Sequence, residues 1–345
     1  MIKVSKMSQN NKGTLLQPKY RFLPLADVYN QSLAVEWLVR DYIPSQSVGM
    51  IYGPSGAGKS HIAFDIAVCI ANGLDWCNKN TKQGHVLIMA GEGHNGLTRR
   101  LKSIEKVRDI EIDTSKISIS ERAIGIDSDK ALKEVVDAID ELGAAPDLII
   151  IDTLSRHLMD SNENSNEDMA KVVINLEYLM RKYNTAVLLV HHTGKNPKSG
   201  SRGASSLRAN IDFSFVVEPF IFQQLKHCEL KCEKQKDASD DLPPLSFGIE
   251  VVKLDEVDDT GKPITGACVI PVAFVTRNKS QDYKDIALKT FMTDKSEWQK
   301  AFVQEVDGDL SDDSKKRKFR EIVKKLVDDG WVKEFAPKKY QITTH

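Results

Sequence analysis

Val48-Gly49-Met50-Ile51-Tyr52-Gly53-Pro54-Ser55-Gly56-Ala57-Gly58-Lys59-Ser60 is the stretch on which the reading of this chain turns. Val48–Tyr52 is short and mostly apolar, the mark of a buried strand. Gly53–Ser60 matches G-x-x-x-x-G-K-[ST] in full. Beyond it Ile62, Ala63, Ile66, Ala67 and Ile70 recur at helical spacing, and Gly73 supplies a stop. Strand, glycine-rich loop and helix in that order are the context in which the motif has physical meaning. Its glycines let backbone N–H groups close on phosphate oxygens, and the helix N-terminus adds positive potential. The expected ligands are ATP and Mg²⁺, with Gly53, Pro54, Ser55, Gly56, Ala57, Gly58, Lys59 and Ser60 forming the cradle. Lys59 belongs on the β/γ-phosphate oxygens and Ser60 on the metal.

Outward from the loop, apolar runs and helical patterns alternate. Val86–Ala90, Leu148–Ile151 and Ala186–Val190 read as strands covered on both faces, and Phe213–Val217 as a further one. Residues 129–142 form an amphipathic helix through Leu132, Val135, Ile139 and Leu142, and Met169, Val172, Val173, Leu176 and Met180 mark another. The fold class is therefore α/β with a mostly parallel sheet, and with the glycine-rich loop it resembles a RecA-like P-loop core. Asp152 ends the Leu148–Ile151 run, in position to hold Mg²⁺ through water. Thr153 follows it, so the glutamate that many ATPases carry at that place is missing. Glu92, in Gly91-Glu92-Gly93 past Val86–Ala90, stands where it resembles the water-activating glutamate of RecA-type ATPases, which follows the strand after the phosphate-loop helix. His192, past Ala186–Val190, is the expected sensor of the γ-phosphate. Two adjacent histidines without further ligands do not make a zinc site.

The rest of the chain changes character twice. Residues 226–235 and 246–254, with a turn at Asp258-Asp259-Thr260-Gly261, read as antiparallel hairpins. Helical patterns at about 283–293, 296–305 and 313–328 precede Gly330 and two short strands around Pro337-Lys338-Lys339, the plan of a winged-helix domain. The expected division is a flexible arm at 1–32, an ATPase domain at 33–278 and the winged-helix-like domain at 279–345. Lys316, Arg317 and Arg320 crowd the third helix, the element that commonly enters the major groove. A solvated helix face or a protein-docking role explains the same charges.

Composition narrows the class further. The 345 residues allow one sizeable core and a small second domain. A formal net charge of −1 excludes a globally basic nucleic-acid binder, so any DNA contact must come from local patches. Five scattered cysteines argue against a disulfide framework and for a cytoplasmic setting. Cys228 and Cys232 form a C-x3-C pair that lacks a second ligand pair. No apolar run approaches the ~18 residues of a membrane span.

Taken together the motifs resemble the plasmid RepA-type branch of RecA-like hexameric replicative helicases. The resemblance rests on Glu36-Trp37-Leu38, the phosphate loop, Gly91-Glu92-Gly93 and Ile151-Asp152-Thr153-Leu154. It continues in His191-His192-Thr193-Gly194-Lys195, Ser201-Arg202-Gly203-Ala204-Ser205-Ser206-Leu207, and the stretch from Lys234 to Phe247. It covers about residues 33–275. It implies a homo-oligomeric ring, usually a hexamer, with ATP between subunits and an arginine finger given in trans. Arg202 and Arg208 are the candidates, because Asp212 stands near where the family would place the finger. It also implies single-stranded DNA in the ring channel, met by Lys195 and Lys198. The leading expectation is a replicative helicase of a plasmid, phage or other mobile element. The alternative is an ATP-switched loader or recombination mediator that does not unwind.

Overall fold

The computed structural model describes residues 22–343 apart from 31, 33, 92–93, 193–206, 223, 273–282, 284–285, 289, 307–310 and 329. In chain order the first elements are α1 (Leu25–Tyr29), β1 (Trp37–Val39), β2 (Ile43–Pro44), β3 (Val48–Gly53), α2 (Lys59–Asn72) and β4 (Val86–Ala90). α3 (His94–Arg108), β5 (Ile117–Ile119), α4 (Asp129–Glu141), β6 (Leu148–Asp152), α5 (Asn166–Tyr183) and β7 (Ala186–His192) complete the alternating part. β8 (Phe213–Phe222), β9 (Leu225–Gln235), β10 (Leu245–Val257) and β11 (Pro263–Val272) follow without an intervening named helix. Last come α6 (Lys295–Glu305), α7 (Asp312–Asp328), β12 (Val332–Ala336) and β13 (Lys339–Ile342).

β3 to β11 form one nine-stranded sheet in the order β11-β10-β9-β8-β3-β7-β6-β4-β5. The pairs from β8 through β3, β7, β6 and β4 to β5 are parallel. Strands β8 to β11 are joined by connections shorter than the dozen residues a parallel crossover needs, so they run antiparallel, as the hairpin pattern required. Alternation along each strand splits the core. Ile51, Ile88, Ile150 and Leu188 pack with α2 and α3 on one face. Met50, Met89, Ile149 and Leu189 pack with α4 and α5 on the other. Both faces are covered, which is why these strands read as unbroken apolar runs. The fold is an α/β core built on a mostly parallel sheet with an antiparallel extension.

Helix ends follow local chemistry. The N–H of Gly73, at φ 65°, closes α2 on the carbonyl of Ile70. Ser128 and Ser165 cap α4 and α5 by accepting from Ala131 and Asp168 N–H. α3 is tied to α2 by a half-buried ion pair. Asp65, fully enclosed, accepts from Arg108 Nε and Nη2, each at 2.8 Å, and from Trp76 Nε1 at 3.1 Å. Asp65→Asn leaves the half-buried Arg108 guanidinium without its counter-charge, a loss of about 3 kcal/mol, the low end for a buried pair. The thermal midpoint should fall by on the order of 10 °C in a calorimetric scan. An unchanged midpoint would show that the pair contributes nothing.

By contacts the chain divides into two compact units, Met1–Glu218 with Cys228–Pro271, and Pro219–His227 with Val272–His345. The second has its own core around Trp298, which is fully buried and gives its indole N–H to Ala287 O at 2.7 Å. Phe291, Phe319 and Tyr340 meet that ring edge-on, with centroids 4.9, 5.2 and 5.8 Å away. Asp294 caps α6 and bridges to Lys339, so a third short segment joins the β12–β13 hairpin. The helix expected at 283–293 is helical at Tyr283 and at 286–288, and the chain has left it by Thr290. Thr290 N–H closes the last turn on Ile286 O at 3.0 Å, and Phe291 beyond it meets the Trp298 ring. Among the described residues no helix is long and apolar enough to cross a membrane.

Candidate functional site

The insertion of β7 between β3 and β6 brings three strand ends into one row. In register, Gly53 of β3 lies opposite His192 of β7, and Asp152 of β6 lies between Val190 of β7 and Ala90 of β4. These are the carboxyl ends of parallel strands, where open α/β sheets bind their ligands. The phosphate loop, Asp152 and His192 are thereby gathered at one edge from positions up to 139 residues apart in sequence, Gly53 to His192.

The loop's glycines are required by contact as well as by conformation. A Cβ at Gly53 would lie 2.3 Å from Val217 O of β8. Gly58, at φ 96°, begins α2, and a Cβ there would lie 3.0 Å from Cys228 Sγ of β9. Sequence reading missed Val217 and Cys228 as the floor of the loop, since neither carries phosphate chemistry.

Lys59 is nearly enclosed, 3% exposed. Its ammonium donates to Gly53 O at 3.0 Å and Pro54 O at 2.7 Å, and meets His192 Nδ1 at 3.1 Å. An ammonium can only donate, so Nδ1 is the acceptor. Burial lowers the Lys59 pKa to about 8, against the opposing pull of Asp152. Ser60 Oγ donates to Asp152 Oδ1 at 3.0 Å, and that carboxylate is 7% exposed. A hydroxyl and a carboxylate facing one another beside a phosphate loop are the hard oxygen donors Mg²⁺ takes, so the residues present fit that ion. His191, on the opposite face of β7, is 4% exposed, and its Nδ1 has no hydrogen-bond partner among the described residues. Burial first, then the charges of His192 and Lys59, push its pKa down to about 4 and keep it neutral.

Asp152 is fastened from its backbone side, where its carbonyl accepts Gly91 N–H at 2.7 Å. Ala90 N–H reaches Ser120 Oγ at 2.9 Å. The chain therefore enters the Glu92 position from a fixed end, while Glu92 itself lies outside the described residues, as do Lys195, Lys198 and Arg202. Arg208 is described, and its guanidinium is engaged within its own chain, to Tyr52 Oη at 2.7 Å and Glu233 Oε2 at 2.9 Å. Lys316, Arg317 and Arg320 lie on α7 in the second unit. Lys316 pairs with Asp313 at 3.7 Å and Arg317 with Glu321 at 4.0 Å, both in the exposed range where ion pairs hold loosely. All five cysteines are free thiols.

A search among curated proteins finds no match. Among solved structures the chain is similar to a KaiC-like protein of the hyperthermophilic archaeon Pyrococcus horikoshii, at 13% identity and a TM-score of 0.44, over 68% of this chain and 94% of that one. A family model for the AAA domain matches residues 17–198, more than half of the sequence. With its phosphate loop, magnesium-type carboxylate and β7 histidine assembled on one sheet edge, the chain belongs to the AAA domain family and carries an AAA-type ATPase domain.

Proposed function

We propose that the chain is an ATP-hydrolysing, ring-forming DNA motor, a replicative helicase of a plasmid, phage or other mobile element. The contact of Lys59 Nζ with His192 Nδ1 at 3.1 Å carries this reading. It joins the residue that grips the phosphates to the strand that runs directly on to Lys195 and Lys198. A change at the γ-phosphate would alter the acceptors open to Lys59, and His192 would pass that change along β7.

In this mechanism Lys59 and the loop N–H groups bind the β- and γ-phosphates, and Ser60 and Asp152 hold Mg²⁺. The bound ion supplies charge neutralisation on the phosphate oxygens. Glu92 orients the attacking water and accepts its proton. An arginine from the neighbouring subunit stabilises charge in the transition state. Arg202 is favoured over Arg208 for that role because Arg208 is already held by Tyr52 and Glu233 of its own chain. Residues 33–278 act as the motor domain and 279–345 as a winged-helix module. α7 of that module offers Lys316, Arg317 and Arg320 to DNA.

An unwinding assay on a forked duplex tests the reading. ATP should drive strand separation, and single-stranded DNA should stimulate hydrolysis. The double variant Lys195→Ala/Lys198→Ala should lose about tenfold of the DNA-stimulated rate and keep the DNA-free rate. DNA-stimulated hydrolysis without strand separation would instead identify an ATP-switched loader or mediator.

A further inference from the structure

The chain re-enters the described structure after residue 206 in a segment fastened to two strands. Leu207 and Ile211 are buried, and Lys234 of β9 donates to the carbonyls of Arg208 and Ala209 at 2.8 and 2.9 Å. Asp212 accepts Val48 N–H at 2.9 Å and pairs with Lys236 at 2.9 Å. Between these fixings Arg208 reaches across to the phosphate strand. One nitrogen, Nη1, donates to both Tyr52 Oη and Glu233 Oε2, and the guanidinium carbon stands 5.1 Å from the Tyr52 ring centroid. The Tyr52 hydroxyl in turn donates to Glu233. Burial and the Glu233 carboxylate push the Tyr52 pKa up, so the hydroxyl keeps its proton as a donor.

Tyr52 immediately precedes Gly53, whose carbonyl accepts from Lys59. The segment 193–206 is thus flanked by two attachments to the phosphate site. On one side stands His192, against Lys59, and on the other Arg208, against the residue before Gly53. A residue given in trans would be free to leave its own subunit, whereas Arg208 has two charge-assisted partners at home.

We propose that Tyr52, Arg208 and Glu233 form a cis-acting positioning cluster that sets the phosphate strand from the segment behind the expected DNA loop. Arg208 then serves the nucleotide of its own subunit. The proposal rests on the ATPase reading above. It makes Tyr52 and Glu233 matter for turnover, although neither has chemistry of its own to offer a phosphate.

The test compares Arg208→Ala, Tyr52→Phe and Glu233→Gln by steady-state hydrolysis, each alone and mixed with Lys59→Ala protein. All three should lower kcat about tenfold with KM for ATP within about twofold, the pattern of misplaced groups rather than lost binding. Arg208→Lys, which keeps a cation facing Glu233, should recover part of the rate. Mixing should restore nothing, because the defect stays in the subunit that carries it. Rescue of Arg208→Ala by Lys59→Ala subunits, with Tyr52→Phe and Glu233→Gln at the wild-type rate, would overturn the cluster and make Arg208 a finger. If wild-type protein shows no Lys59-dependent hydrolysis, the ATPase reading falls and this proposal with it.

Discussion

Lys59→Ala should bind no nucleotide measurably and hydrolyse none, while the folded protein becomes no less stable. The first half follows from the loss of the cation that faces the β/γ-phosphates, at a position enclosed by Gly53, Pro54 and His192. The second follows from linkage. Burial lowers the pKa of Lys59 from 10.5 to about 8, so the folded state penalises the ammonium relative to the unfolded chain. The penalty is on the order of 3 kcal/mol. It is fully present below pH 8, and relief comes as pH rises from about 8 towards about 10.5. The lysine is thus held in a place that destabilises the free protein, and binding an anionic phosphate offsets the strain. Calorimetry without nucleotide should find the variant's midpoint equal to or above wild type at pH 7, with the gap closing above pH 8. Adding Mg·ATP should raise the wild-type midpoint and leave the variant unmoved. A variant that still gains stability from Mg·ATP would show that the phosphates are held by other groups.

The central strands were legible because each is covered on both faces and carries an unbroken apolar run, and β4 coincides with the expected Val86–Ala90. Asp152 was legible because it interrupts such a run at the end where ligands sit. α3 was missed although Leu97 and Ile104 are buried on it, because Arg99, Arg100, Lys102 and Lys106 break up a face that only two helical turns keep apolar. β8 runs five residues past the expected Val217, since the sequence signal fades at Pro219 and the pairing does not. The Tyr52–Arg208–Glu233 cluster has no sequence signature. Its members come from β3, the short helical segment before β8, and β9, and only the order of strands brings them together. Fold and phosphate chemistry are written in local runs, whereas coupling between segments is written in register, which composition does not carry.

Glu92→Gln should bind Mg·ATP with wild-type affinity and turn it over about 10³-fold more slowly, within the 10²–10⁴ range typical of a lost general base. Gln keeps the size and hydrogen-bonding capacity of the side chain and removes only its ability to take a proton. Ala90, two positions earlier, is paired with Asp152 in register, and Gly91 N–H is bound to the Asp152 carbonyl at 2.7 Å. Gly91, the residue just before Glu92 in sequence, is therefore fixed against the magnesium-type carboxylate. Thr153 cannot accept a proton at neutral pH, and Asp152 is already committed to Ser60 Oγ at 3.0 Å. No other carboxylate stands in the first two positions beyond the ends of β3, β4, β6 or β7. Filter binding with labelled ATP and a single-turnover assay separate the two halves of the expectation. Turnover within threefold of wild type would move the water-activating role away from β4. The RecA-like assignment of Glu92 would then have to be given up, even with the phosphate loop intact.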